Sequence, residues 1–163
     1  MKEELRRYIE ENIRYFTEAN IGKLRSQNKA SIAVQDECFF GSISNYIKTE
    51  KEDNKFQDLL FKYIDSKNLK DSEVYNSVNI DRRLFSKIRS ESYHPSKETV
   101  ILLGLALKLN EKEFDEFIRS ASYYLSKNNE YDLIIRFCFI NKIYDIIEVN
   151  NLLSEYNCKL LGY

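Results

Sequence analysis

Arg82, Arg83, Lys87 and Arg89 form a dense basic segment in the middle of the chain. Four of the eight residues from Arg82 to Arg89 are cationic and none is anionic. Arg can bond guanine in a bidentate manner, Lys and Arg hold phosphates, and a Ser such as Ser86 can bond a base or a phosphate. The segment therefore predicts a surface that contacts DNA. The alternative is the ordinary solvated basic face of a helix.

Other chemistries lack the residues that they need. The single histidine, His94, stands beside Pro95, so neither a histidine metal site nor a Ser-His-Asp arrangement can be assembled. The four glycines do not form a phosphate-binding loop. We therefore predict no enzyme activity, no cofactor and no metal. The three cysteines, without CxxC spacing, predict reduced thiols in a cytoplasmic protein.

The composition is that of a packed helical protein. Of 163 residues, 43% are apolar and 13% aromatic, with only four Gly and one Pro. The net charge of -1 means that any nucleic-acid contact must come from a local patch. The longest strongly apolar run, Val100 to Leu107, is too short to cross a bilayer, so no membrane association is expected.

The first third of the chain has the weaker patterns. Residues 1–20 carry apolar side chains at helical spacing and predict an amphipathic helix. Residues 21–36 indicate a polar connector, and residues 38–49 a short helix. The charged residues 48–55 then mark a boundary before a further helix, which begins at Phe56 and stops between Ser66 and Asn68.

From Asp71 onwards the caps and turns are sharper. Asp71 or Ser72 is expected to cap a short helix, and Asn79 to take the left-handed conformation of the turn after it. The turn and the next helix then have an aliphatic plug, a cap and three core-facing residues, which are Ile80, Asp81, Leu84, Phe85 and Ile88. This second helix runs from Arg82 to about Ser90, with its basic side chains facing outwards.

The remaining helices follow from apolar periodicity. Ser96 begins a helix that is apolar nearly all round and should form the centre of the domain. Asn110 caps a helix predicted to extend from Glu111 to Leu125, and two more are predicted at residues 131–141 and 145–156. The apolar face of the 111–125 helix consists of Phe114, Phe117, Ile118, Ala121 and Tyr124. No strand is predicted.

The sequence from Leu69 to Asn110 resembles the Cro/C1-type (XRE) helix-turn-helix family, and the resemblance runs without a gap through NIDRRLFSKIRSESYHPSKETVILLGLALKLN, residues 79–110. Asn79 stands where the family usually has Gly, and Ile80 matches its aliphatic plug. Phe85 and Ile88 match the apolar anchors of the recognition helix. The start of the family's fourth helix is matched by Pro95, Ser96, Glu98 and Thr99, and its aliphatic end by Leu107 and Leu109.

The resemblance implies an all-α, lambda-repressor-like five-helix domain over residues 53–125. An N-terminal helical segment with a connector, residues 1–52, would precede it. A C-terminal helical extension, residues 126–163, would pack on it. Two positions depart from the family. Asp71 occupies the place of a phosphate-binding Gln and would repel phosphate, and Tyr75 occupies a place where a small residue is usual.

The implied function is transcription regulation by binding double-stranded DNA, with helix 82–90 in the major groove. The residues expected to contact DNA are Arg82, Arg83, Ser86, Lys87, Arg89, Tyr93, His94 and Lys97. The apolar surplus of the last helices predicts a homodimer. The alternative function is a non-catalytic adaptor or inhibitor that reuses the same scaffold to bind another protein, which the near-neutral charge, Asp71, Tyr75 and the twelve tyrosines favour.

Overall fold

The computed structural model describes residues 3–11, 56–90 and 93–162, and all the regular structure in these residues is helical. Helix α1 occupies residues 3–11. It is followed by α2 (Phe56–Ser66), α3 (Asp71–Ser77), α4 (Arg82–Ile88), α5 (Lys97–Ala106), α6 (Glu111–Ser120), α7 (Glu130–Ile140) and α8 (Ile146–Glu155). The prediction of an all-α protein is confirmed for these residues. The predicted connector and the helix at 38–49 lie outside them.

Side-chain caps explain where most of these helices begin. Asp81, Ser96 and Asn110 each accept a hydrogen bond from a backbone N–H in the first turn of α4, α5 and α6. Such bonds satisfy amides that have no partner inside the helix. The three caps agree with the sequence prediction.

Helix α3 begins differently from the prediction. Asp71 is already its first helical residue, and the residue at the cap position is Lys70. A Lys side chain cannot accept a hydrogen bond, so it cannot cap amides as Asp or Ser would. Instead, the Lys70 backbone N–H donates to the Glu73 carboxylate at 2.7 Å. The predicted cap at Asp71 or Ser72 was therefore wrong.

The turn between α3 and α4 has the predicted features. Asn79 has φ +55°, in the left-handed region that Asn tolerates. The Ile80 N–H donates to the Tyr75 carbonyl at 2.9 Å, and the Ile80 side chain is buried. The Tyr75 ring is half-buried, with its centroid 5.6 Å from that of Phe85. The bulky tyrosine thus packs where α3 meets α4.

Helix α5 lies at the centre of the molecule. It packs against α3 and α6, while α6 also contacts α2 and α7, and α8 packs on α7. Its residues from Thr99 to Leu105 are all buried, as its continuous apolar sequence predicts. Helix α1 adds Leu5 and Ile9 to the same core. One buried cluster therefore joins helices α1 to α6 with α7 and α8.

Helix α6 is shorter than predicted. It ends at Ser120, and Ser122 takes a left-handed conformation with φ +59°. The Tyr123 N–H then donates back to the Ile118 carbonyl at 3.0 Å, which closes the helix end. Because the chain leaves the helix here, Tyr124 is 71% exposed. The prediction that Tyr124 shares the apolar face of this helix was wrong, because the helix ends before it.

Candidate nucleic-acid interface

The anchoring of α4 determines which of its side chains reach solvent. Asp81 fixes its first turn by accepting hydrogen bonds from the backbone N–H groups of Arg83 and Leu84 at 2.7 and 3.3 Å. Phe85 and Ile88 are buried, and Leu84 is half-buried against the core. The opposite side of the helix is consequently held outwards in one orientation.

Arg82, Arg83, Ser86 and Lys87 form the outward side of α4, which we call the front face. All four residues are exposed. None of its three cations has an ion-pair partner among the residues that the structure describes. The front face therefore presents two guanidinium groups, one ammonium group and one hydroxyl group to solvent, which are the donors that phosphates and base edges accept.

The described part of the N-terminal helix, α1, does not cover the front face. Leu5 and Ile9 of α1 are buried, and the Tyr8 ring lies 5.6 Å from the Phe137 ring of α7. Glu3 and Arg6 share a shallow pocket with Glu155 and Tyr156 at the end of α8. Residues 3–11 thus pack beside the C-terminal helices and leave the front face exposed.

Arg89, which the sequence assigned to DNA backbone contact, is engaged within the molecule. Its Nη1 lies 3.0 Å from the Asp71 carboxylate at the start of α3. Its guanidinium carbon lies 4.9 Å from the centroid of the Phe61 ring of α2. The side chain is still 53% exposed. Arg89 is therefore accessible, but its charge is already partly balanced.

Lys97 is held more tightly. Its Nζ donates to both carboxylate oxygens of Asp132 in α7, at 2.7 and 2.8 Å. Asp132 is only 4% exposed, and it also accepts the Ser126 backbone N–H at 2.8 Å. This lysine joins α5 to α7, so it is not a free cation beside α4.

Tyr93 and His94 lie between α4 and α5, where the side chains of Gln57 and Tyr123 bond backbone carbonyl groups. Gln57 of α2 donates to the Ser90 and Tyr93 carbonyls at 3.3 and 3.2 Å. The Tyr123 hydroxyl donates to the Pro95 carbonyl at 3.2 Å, and His94 Nδ1 lies 3.0 Å from the same oxygen. Tyr93 is half-buried and His94 is exposed. Of the two, His94 is the more accessible to a ligand.

Two residues at this surface were missed by the sequence prediction. Nothing in the sequence indicates the role of Gln57, which is simply a polar residue beside the apolar positions of α2. Asp132 stands inside an apolar helix, where a carboxylate that is buried requires a partner. A buried acid in an apolar segment could have suggested an ion pair, but the sequence does not identify Lys97 as that partner.

The described thiols show no sign of reactivity. Cys138 is buried in α7, and burial raises the pKa of its thiol to about 12. Cys158 is half-buried, and its pKa is also raised by burial. Because the thiolate is the nucleophile, neither group is activated near neutral pH. Among the described residues, no group of three or more His, Cys, Asp or Glu side chains is suited to hold a metal ion.

Comparison with known proteins gives no further assignment. The chain matches no protein-family model, no curated protein and no solved structure at a significant level. In the part of the chain that the structure describes, no helix has the length and apolar character needed to span a bilayer.

Proposed function

We propose that this chain is a DNA-binding transcriptional regulator of the Cro/C1 helix-turn-helix type. In this proposal α4 enters the major groove of double-stranded DNA, and α3 lies across it towards the sugar-phosphate backbone. The observation that carries the proposal is the front face, because its cations have no ion-pair partner among the described residues and its helix is anchored in the core by Phe85 and Ile88.

The side chains of the front face suit different parts of a duplex. Arg82 and Arg83 have the planar donor geometry that matches the O6 and N7 atoms of guanine. Lys87 supplies a compact charge suited to a phosphate, and Ser86 can donate to or accept from a base edge. In this proposal His94, which is exposed beyond the end of α4, contacts the neighbouring backbone.

The electrostatic contribution in this proposal is modest. If all three cations of the front face reached phosphates, a plot of the logarithm of the binding constant against the logarithm of the salt concentration would have a slope of about -2.7. The net charge of -1 offers no long-range attraction to DNA. We therefore expect weak binding to random DNA and a stronger dependence on base contacts.

The direct test is duplex binding by a charge-reversal variant. Arg82→Glu with Arg83→Glu should abolish retention of genomic fragments in a mobility-shift assay at low salt, because both groups would then repel the backbone. The matched control is Lys127→Glu with Lys142→Glu. It makes the same change in net charge at two exposed sites flanking α7.

The control variant should bind the same fragments as the parent chain, apart from a small general loss. Absence of binding by the parent chain at low salt would remove the proposal. Equal losses in the two double variants would show that any binding is non-specific. Circular dichroism should report the same helix content for all three proteins.

A second candidate is a protein-interaction adaptor or inhibitor that reuses the scaffold. The observation favouring it is that Asp71 and Asp132 pair with two of the cations expected to contact phosphates, Arg89 and Lys97. A surface that binds protein needs fewer free cations than one that binds DNA. This candidate gains support if duplex binding is absent while a partner protein is retained by the front face.

A further inference from the structure

Asp71, Arg89 and Phe61 form a three-residue cluster beside the front face, which we call the arginine clamp. The ring of Phe61 lies under the Arg89 guanidinium, and the Asp71 carboxylate lies at 3.0 Å from one of its nitrogens. The three side chains come from α2, α3 and the residue that ends α4. The clamp therefore sits where the start of α3 approaches the end of the proposed recognition helix.

The two contacts of Arg89 have different consequences for an approaching anion. The contact with the face of the Phe61 ring uses no hydrogen-bond acceptor, so the N–H groups of the guanidinium can still bond other partners. The Asp71 carboxylate, in contrast, occupies one part of that edge with an anionic acceptor. A DNA phosphate is also an anionic acceptor, so it would have to compete with Asp71 for the same donors.

The strength of the ion pair makes such competition feasible. The Arg89 and Asp71 side chains are 53% and 33% exposed, so water and salt screen their attraction. A screened pair can exchange one anionic partner for another without exposing a buried charge. The Lys97–Asp132 pair lacks this property, because its carboxylate is buried: the Asp132 side chain is 4% exposed.

We propose that Asp71 is an intramolecular competitor that lowers the affinity of the protein for the DNA backbone by occupying Arg89. This inference rests on the proposed function and adds the residue that sets its affinity. Phe61 keeps the guanidinium in place in both states, while the carboxylate of Asp71 and a backbone phosphate alternate as its partner.

A double-mutant cycle tests the competition. Fluorescence anisotropy would measure the dissociation constant of one labelled duplex over a range of salt for the parent, Asp71→Asn, Arg89→Gln and the double variant. Asp71→Asn should tighten binding about fivefold, corresponding to loss of a surface ion pair, and should steepen the salt slope by about one unit. Arg89→Gln should remove that gain, and should change binding by the parent much less.

The control for a general charge effect is Glu130→Gln, which removes one exposed carboxylate from the first turn of α7. The main helix contacts of α7 are with α6 and α8 rather than with the helices of the clamp. The variant should leave the dissociation constant within about twofold of the parent value, because an exposed charge outside the clamp is screened. Additive effects of the Asp71 and Arg89 variants, or an equal gain from Glu130→Gln, would overturn the competition. Such a result would leave the proposed function standing if the Arg82/Arg83 variant still fails to bind. Absence of duplex binding in every variant would overturn both.

Discussion

At the scale of single residues, burial and partners separate cations that look alike in the sequence. Arg82, Arg83 and Lys87 are exposed, and none of them has an ion-pair partner among the described residues. The Arg89 side chain remains 53% exposed although it pairs with Asp71, whereas Lys97 pairs with a buried carboxylate. Arg82, Arg83 and Lys87 can therefore bind an external anion, whereas Lys97 stabilises the contact between α5 and α7.

The Lys97–Asp132 pair provides a prediction about stability. Asp132→Ala should lower the free energy of unfolding by about 2–3 kcal/mol, because it removes both Lys97 bonds and leaves the Ser126 amide without its acceptor. We place the loss below that of a fully buried pair, since the Lys97 side chain is 30% exposed. Urea denaturation followed by circular dichroism measures the loss.

Lys159→Ala is the matched control for that variant. It breaks the pair between Lys159 and Glu98, whose side chains are 66% and 39% exposed. Screening by water should keep its effect below about 1 kcal/mol. Equal losses for the two variants would show that the Asp132 pair contributes no more than a surface pair.

The sequence predicts the exposure of α4 well, because a seven-residue helix with two buried anchors leaves few choices for its other side chains. It does not predict the partners of Arg89 and Lys97. Lys97 is separated from Asp132 by 35 residues, and that contact depends on how α7 packs against the start of α5. Long-range packing of this kind has no periodic signature in the chain.

At the scale of elements, the sequence predicts where helices begin better than where they end. Asp81, Ser96 and Asn110 have side chains that can accept the first amides, so their roles follow from residue type. The end of α6 depends on Ser122 in a left-handed conformation, which Gly or Asn would signal but Ser does not. The sequence therefore predicted too long a helix, with Tyr124 on its apolar face.

Gly104 in α5 illustrates a packing requirement that the sequence pattern conceals. The rings of Phe114 in α6 and Phe139 in α7 are stacked, with their centroids 3.7 Å apart. A Cβ atom at position 104 would lie 2.6 Å from two atoms of the Phe114 ring and 3.2 Å from Phe139 Cζ. The missing side chain thus provides space for the contact of α6 with α7.

We predict that Gly104→Ala destabilises the protein even though Ala is the better helix former. The gain in helix propensity is about 1 kcal/mol, whereas overpacking a dense core typically costs about 1–3 kcal/mol. A net loss of about 1 kcal/mol in urea denaturation is expected. In the double variant Gly104→Ala with Phe114→Leu, the extra penalty of the alanine should largely disappear relative to Phe114→Leu alone. A stabilised Gly104→Ala protein would contradict this account.

At the scale of the whole molecule, α7 and the residues that follow it contact α6 and the end of α5 in several ways. Phe139 stacks on Phe114, and the Tyr144 hydroxyl donates to the Leu109 carbonyl at 3.0 Å. Arg136 pairs with Glu111 and Asp115 of α6, each at 3.3 Å. Because α6 uses one face for α5 and another for α7, the C-terminal helices cover apolar surface that the earlier helices would otherwise expose.

Removal of residues 128–163 is therefore expected to leave a poorly soluble or monomeric product. The deletion exposes the Phe114 ring and removes Asp132 from Lys97, so both apolar and charged groups of the remaining helices lose their partners. Sedimentation velocity of the truncated and full-length chains measures solubility and oligomeric state together. A soluble dimer after truncation would contradict the prediction that the C-terminal helices mediate self-association.

Ile147→Asp in the full-length chain separates self-association from folding. Ile147 lies in the first turn of α8, is 68% exposed, and borders a groove of about 420 Å³ lined also by Asn151 and Leu160. Its substitution removes little buried apolar area, so the unfolding midpoint in urea should stay close to that of the parent. If the predicted dimer uses this face, the charged side chain would be desolvated in the interface, and sedimentation should show a monomer.

A parent chain that is monomeric at all concentrations would instead require two separate proteins to occupy the half-sites of a symmetric operator, which weakens the proposed mode of DNA reading.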